Sequence, residues 1–555
     1  MPSGAELFVE TAARLGVATI FTLVGDHLNE VLNAAARRGI RILDMRHESG
    51  VTHAADAWAR IHRKPALSLV TGGPGHTNSL TGMATANLAG SPLIAVSGSR
   101  PSTLAGRQAF QDIDQVSMAR PVVKWAAEVP DAAHIPSYLE RAYAVADGGR
   151  KGAVHLTIPV DLFTNSAGGT GCPPWPPLDR PENLSHIDRA MALLRAAERP
   201  VLIAGSGVWW AHAEEALRRF VEQTQIPLYT IALGRGTVSD SHPLAMGYAD
   251  PALNYAVHTA FREADLFLIV GKRIDYRLAM GGARLFPPDA RFIQIDIHPQ
   301  ELGFNRPLDA AICADARLAL EALADAASSQ PWPASPGATP WLERVRGLRR
   351  DWESTLALAA SDDALPMHPA AFYRELSRAL PRDVLYSWDG GDFVQWGRAM
   401  LPAREPGGWL RLGPLGAIGS ALPNGLALQL AHPGRPVAVI TGDGALGFYI
   451  AEMDTAVRHK LPIVAIVGND AGWGLERELQ TSAYGGATVA CELQPTPYDA
   501  IMRGFGGGGE TIDRLDRVGP AVQRAFAAGV PYCLNVRIRG VRSPFTEWQI
   551  AGKKR

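Results

Sequence analysis

Largely apolar runs of four to six residues recur along the chain, each followed by a longer stretch with helical spacing. Residues 19–24, 41–45, 66–70 and 93–96 form a first group. Residues 201–204, 266–270 and 292–296 form a second, and 383–387, 437–440 and 462–467 a third. Runs of this length read as strands and the stretches between them as helices. The alternation predicts an α/β chain of three open, mainly parallel sheets with helices on both faces. The first and third groups look alike in outline. Stretches rich in Gly and Pro at 165–180 and 328–336 read as linkers. They divide the chain into units at 1–166, 184–326 and 365–540, with a tail at 541–555. The tail carries Phe545, Trp548 and Ile550. It could be disordered or fold over a pocket as a lid, and its apolar residues favour folding.

Composition narrows the function. The chain has 555 residues and is 47% hydrophobic, enough for large cores. At about 150–200 residues per domain, this length suits roughly three domains. The net charge of −1 gives no reason to expect nucleic acid or an acidic membrane surface as partner. Cys172, Cys313, Cys491 and Cys533 are scattered without a CxxC pair, which predicts neither disulfides nor a zinc site. The start has no basic region before an apolar stretch, and no apolar run approaches the ~20 residues needed to span a bilayer. A soluble, cytoplasmic protein is expected.

The chemistry concentrates at Gly442-Asp443-Gly444 and Asn469-Asp470, with Asn469 following Gly442 by 27 positions. Between them, residues 448–460 have helical spacing. The unit therefore reads strand–turn–helix–strand, with a right-handed crossover expected. It brings Asp443 and Asn469 to the same end of two parallel strands, where such sheets bind ligands. A hard cation such as Mg²⁺ takes oxygens from carboxylate, amide and phosphate. The helix start after Gly444 would favour phosphate through its N–H groups. Alone, Gly-Asp-Gly reads equally well as a tight turn; the paired Asn469 and Gly472-Trp473-Gly474 favour a site.

These residue types at this spacing resemble the signature of thiamine diphosphate (ThDP) enzymes. The resemblance covers nearly the whole chain and implies pyrimidine-binding, middle and diphosphate-binding domains. It makes Asp443, Asn469 and the Ala471 carbonyl the Mg²⁺ ligands, with Gly442, Gly444, Ala445 and Gly472 along the cofactor. Asp470 stands where the family often has Asn. The family also needs an acid against the aminopyrimidine ring, in surroundings that raise its pKa. Glu48, in Arg46-His47-Glu48 after the run at 41–45, resembles that activating glutamate; on its own it reads as an acid favoured by a helix start. Leu415-Gly416-Ala417-Ile418-Gly419 resembles the segment that bends the cofactor, with the Gly416 carbonyl and the Ile418 side chain as contacts. Asp389-Gly390-Gly391-Asp392 falls where relatives contact the diphosphate or the substrate. The glycines in Thr71-Gly72-Gly73-Pro74-Gly75 are best explained by close backbone approach.

Within the family the chain resembles the acetolactate synthase-like group, which includes 2-hydroxyacyl-CoA lyases and benzaldehyde lyase. Val24-Gly25-Asp26-His27 and Phe110-Gln111-Asp112 match benzaldehyde lyase segments that carry an active-site His and Gln. These fall on His27 and Gln111. A His near its ordinary pKa of about 6.5 can take a proton from a hydroxyl; Asp26 could share that role. Leu475 and Glu476 would border the substrate. Glu476 would repel a 2-oxo acid anion and suits a neutral hydroxyl or thioester better, although it also reads as a solvated residue paired with Arg477 or Lys460. The expected activity is cleavage of a 2-hydroxyacyl-CoA to an aldehyde or ketone and formyl-CoA. An acyloin lyase, acetolactate synthase or 2-oxo acid decarboxylase is the alternative. Relatives build the site between two subunits, so a homodimer or homotetramer is expected. The middle unit binds FAD, ADP or CoA in relatives; here Gly271-Lys272-Arg273 and Arg277 could hold phosphates, or the unit could be only structural.

Overall fold

A computed structural model describes residues 1–167, 180–329, 332 and 338–553. Most of both expected linkers, and Cys172, lie outside the described residues. Three six-stranded sheets follow one another along the chain, and every named strand pairing is parallel. With strands numbered in chain order within each sheet, the first stands 2-1-3-4-6-5 and the third repeats that order. The middle sheet stands 6-5-4-1-2-3, the doubly wound dinucleotide-fold order read from its other edge.

The expected runs all lie on strands, with shifted ends. Residues 93–96 extend to Leu93–Ser99, and 462–467 becomes Val464–Asn469, leaving Pro462 outside because it cannot donate to a ladder. The unexpected strands include Trp125–Glu128, Ala310–Cys313, Trp409–Arg411 and Gly508–Ile512. Several of these hold polar, small or partly exposed positions, so no apolar run marks them. Among the described residues no helix is long and apolar enough to cross a membrane.

The expected helix at 448–460 shortens to Glu452–Arg458, and a separate single turn, Asp443–Leu446, follows the strand before it. The sheets sit close together. Helix Glu48–His62 of the first unit packs on helix Ala421–Ala431 of the third, and their apolar faces share one core. The tail forms helix Pro544–Lys553. The Tyr255 hydroxyl donates to the Pro544 carbonyl at 2.9 Å, and the Arg284 guanidinium lies 4.0 Å over the Trp548 ring.

Candidate active site

Strands Val437–Gly442 and Val464–Asn469 pair in register, Gly442 beside Gly468, so Asp443 and Asn469 leave the sheet at one edge. Asp443 is buried. One carboxylate oxygen accepts from the Gly444 N–H at 2.9 Å and the other from the Gly472 N–H at 3.1 Å. Asn469 donates its amide to the Thr496 carbonyl and to Asn535 Oδ1, each at 2.9 Å. Those two acceptors fix which way the amide faces. Its oxygen accepts only a long bond, 3.3 Å, from the Ala471 N–H. Ala471 holds φ +53°, a left-handed conformation that a non-glycine adopts at a cost of about 1–3 kcal/mol. Its carbonyl already accepts from the Leu493 N–H at 2.8 Å and from Arg477 at 3.4 Å. With both lone pairs engaged, it is the least available of the three candidate ligands.

Charge at this edge is unbalanced. Burial and then the neighbouring Asp443 push Asp470 up to about 7, against the pull of Arg477 at 3.2 Å. Burial likewise raises Asp443. A divalent cation would relieve both. Among the described residues no cluster of three His, Cys, Asp or Glu could hold a metal. The donors present are one carboxylate, one amide oxygen and one carbonyl. Such a set suits Mg²⁺ that completes its shell with phosphate and water oxygens. The one-turn helix at Asp443–Leu446 corrects the expectation of a full helix start facing phosphate, since the Gly444 N–H is also taken by Asp443. A Cβ at Gly444 would lie 2.8 Å from the Trp473 ring and one at Gly472 1.7 Å from Arg477, so these two glycines serve close packing. Gly442 faces nearly open space, and Ala445 is buried.

Asp389 and Asp392 both turn inward. Asp389 accepts from the N–H groups of Gly390 and Gly419 at 2.9 Å and of Ala421 at 3.2 Å; burial pushes it up to about 6. It thereby lays the loop holding Gly416 and Ile418 over the strand end, where a Cβ on Gly390 would meet Ile418 at 3.1 Å. Gly416 is exposed with φ +77° and open space around it; Ile418 is half-buried. Asp392 accepts from the Ser543 N–H at 3.1 Å and from the Thr546 hydroxyl at 2.5 Å, anchoring the tail helix.

The first sheet assembles the other candidates at its own carboxyl edge. Glu48 opens helix Glu48–His62, is half-buried, and accepts from Asn78 Nδ2 at 3.0 Å. Gly75 lets the Thr71 loop pass close to it: a Cβ there would lie 3.6 Å from Glu48 and 2.9 Å from Thr71. His27 is buried. Its Nδ1 accepts from the Gly72 N–H at 3.1 Å and lies 3.0 Å from Thr71 Oγ1, so Nε2 carries the proton of the neutral ring. Burial lowers its pKa below 6.5, which corrects the expectation of an unperturbed base; it is a neutral donor at neutral pH. Thr71 also reaches Gln111 Oε1 at 3.5 Å, and Gln111 holds φ +57° against Gly73. Asp26 is exposed and caps only the His27 N–H.

Glu476 is exposed on helix Gly474–Ala483, none of whose residues is buried in the single chain. Arg477 turns to Asp470 and Glu492 instead of pairing with it. No described hydrogen bond or ion pair joins Glu48 to Asp443 or Asn469. Sequence reasoning missed Asn78, Gln115 and Asn535. Gln115 accepts from the Gly73 N–H at 3.0 Å and donates to the Gly98 carbonyl at 3.1 Å. Asn535 had a signal: one amide inside the apolar strand Tyr532–Arg537.

In the middle unit, Lys272 donates to Asp275 at 2.6 Å and Arg277 pairs with Asp250 at 2.8 Å. Both line a cavity of about 520 Å³ that Arg150, Asp296 and Arg411 also border. Their charges are already matched inside the chain.

Residues 2–118 match the thiamine pyrophosphate enzyme N-terminal TPP binding domain, 187–323 its central domain and 389–536 its C-terminal TPP binding domain. The chain belongs to the thiamine pyrophosphate (ThDP) enzyme family, which supports a ThDP-dependent enzyme. It is 36% identical to an acetolactate synthase large subunit of Mycobacterium tuberculosis, over 94% of this chain and 93% of the relative. It is 31% identical to 2-hydroxyacyl-CoA lyase 2 of Caenorhabditis elegans, over 92% and 84%. With 2-hydroxyacyl-CoA lyase 1 of Mus musculus it shares 31% identity over 97% and 94%.

Proposed function

We propose that this enzyme is a ThDP- and Mg²⁺-dependent carbon–carbon lyase and carboligase. Its reaction would cleave a 2-hydroxyacyl-CoA to an aldehyde or ketone and formyl-CoA. The observation that carries the reading is the convergence of His27 and Gln111 on Thr71, beside Glu48. Bound ThDP supplies a carbon nucleophile and an electron sink for the carbon–carbon bond. Asp443, Asn469 and the Ala471 carbonyl would hold Mg²⁺ against its diphosphate, and Glu48 would hold the aminopyrimidine ring. Ile418, beside Gly390, would shape the floor between them.

The chain's own groups handle the substrate. As the carbon–carbon bond breaks, the hydroxyl oxygen becomes a carbonyl and its proton has to leave. His27 would donate from Nε2–H to that oxygen while the buried Gly72 N–H and Thr71 hold the ring. Gln111 would hydrogen-bond the same oxygen. Glu476, an unpaired carboxylate that disfavours an anionic 2-oxo acid, would receive the proton. No described hydrogen bond or ion pair joins Glu48 to Asp443 in one chain, in keeping with a site completed between two copies in a homodimer or homotetramer.

A second reading, acetolactate synthase, is favoured by the 36% identity to the mycobacterial relative over nearly the full chain. One assay separates them: incubate the loaded enzyme with a 2-hydroxyacyl-CoA, benzoin and pyruvate and identify the products. Formyl-CoA with an aldehyde or ketone is expected. Acetolactate from pyruvate, with the CoA ester inert, would overturn the lyase reading.

A further inference from the structure

The turn that delivers Glu48 is not held by its own unit alone. Strand Arg41–Asp44 ends, residues 45–47 turn, and helix Glu48–His62 begins. His47 Nδ1 accepts from the Ser49 N–H at 3.1 Å, a local cap. The other acceptor lies more than four hundred residues away. Both carboxylate oxygens of Glu452 accept from the Arg46 N–H, at 3.2 and 3.3 Å. Glu452 is fully buried, and its only other described side-chain donor is the Thr455 hydroxyl at 2.7 Å. The facing position is Gly50, where a Cβ would lie 2.8 Å from Glu452 Oε1. A side chain there would push the carboxylate away. Three residues earlier in the same segment, the Tyr449 hydroxyl lies 2.7 Å from Ser49 Oγ, a second tie to the start of the Glu48 helix.

Burying a carboxylate completely is expensive unless it is bonded. Glu452 meets that cost with bonds to the turn immediately before Glu48. The segment that carries it follows directly from the turn holding Asp443. We infer that Glu452 is a positioning residue for Glu48: it sets where the Glu48 carboxylate stands, without touching cofactor or substrate. Asn78 then fixes the side chain and Glu452 fixes the backbone that presents it.

The inference rests on the proposed role of Glu48 at the cofactor, so the test includes Glu48→Gln as a reference. Glu452→Gln keeps the size but turns an NH₂ group toward the Arg46 N–H. Three quantities are measured: ThDP affinity, C2 hydrogen exchange of bound ThDP, and amide exchange of residues 45–50 in the protein before loading. Because a shift of about 1 Å can cost roughly 100-fold, C2 exchange is expected to slow roughly 10- to 100-fold while ThDP affinity stays within about threefold. Amide exchange at Arg46 should speed up, and Glu452→Asp should restore part of the C2 exchange. Gly50→Ala keeps the carboxylate but displaces it, and should slow C2 exchange in the same direction by less. If Glu48→Gln slows the exchange and Glu452→Gln leaves it unchanged, the inference fails. If Glu452→Gln does not fold, an unchanged rate in Gly50→Ala overturns it. If Glu48→Gln itself leaves the rate unchanged, the assignment of Glu48 fails, whatever Glu452 does.

Discussion

The first and third sheets have the same strand order and place their loops at equivalent carboxyl edges, yet the two edges carry opposite chemistry. In the first, Glu48 accepts from the neutral Asn78 amide, and His27 and Gln111 meet at Thr71. Glycines 72, 73 and 75 clear space between them. In the third, Asp389, Asp392, Asp443 and Asp470 crowd one edge, and burial raises the pKa of each. The fold sets where loops emerge; the loop residues set what is lacking there. The third edge carries more acid than Arg477 offsets, which the proposed cation would balance. The first offers hydrogen bonds and room, which suit a ring and a reacting oxygen. The middle sheet is a third case, with Lys272 and Arg277 already paired to Asp275 and Asp250.

The sharpest way to break this comparison is to remove the charge excess. With Asp443→Ala, Mg²⁺-dependent ThDP binding should weaken by roughly 100-fold or more, at or beyond the upper end of the roughly 10- to 100-fold that loss of a residue supporting a metal ligand costs. Fluorescence titration of ThDP with and without Mg²⁺ measures it, and wild-type affinity would remove the cation from this edge. Asn535→Leu takes away one of two acceptors that orient Asn469. A support of that kind is worth roughly 10-fold in metal affinity; the same titration should show the loss with Asn469 itself intact.

At the first edge the demand is for space. Gly98→Ala would place a Cβ 2.3 Å from the Cβ of His27. Overpacking of this kind costs about 1–3 kcal/mol, read by chemical denaturation, and turnover should fall with it. Unchanged stability and turnover would show that His27 is not held against Gly98.

The smallest effect is a slope. Burial pushes Glu452 up to about 7 from an ordinary 4.5. Between those values the folded chain holds a proton that the unfolded chain has lost. This group's contribution to stability is therefore full below pH 4.5 and is lost as pH rises through about 7. Across that window, wild-type stability should fall relative to Glu452→Gln. Parallel curves for the two proteins would place Glu452 in a more solvated setting.

Much of the site was legible because its parts are local. Gly442-Asp443-Gly444 and Asn469 belong to one strand–turn–helix–strand unit, so period and spacing suffice to align them. Glu48 was legible because it follows a strand directly. The partners of Asp389 and Asp392 were not legible, for the opposite reason. Their position at a strand end is local, but their partners Gly419, Ala421, Ser543 and Thr546 arrive from other segments. His27 shows the same divide: its place followed from the loop, while its depressed pKa follows from burial against Gly72 and Gly98.

The sequence by itself determined three α/β units, which strands end in chemistry, and the cofactor those ends imply, since hydrophobic period and turn residues act over a few positions. Tertiary structure decided which way each polar group faces. Asp389 clamps a loop, Asn535 aims the Asn469 amide, Gly72 fixes the His27 tautomer, and Glu452 crosses from one sheet unit to the turn before Glu48. A buried donor or acceptor takes whatever partner packing brings within 3 Å or so, and here those partners come from tens to hundreds of residues away.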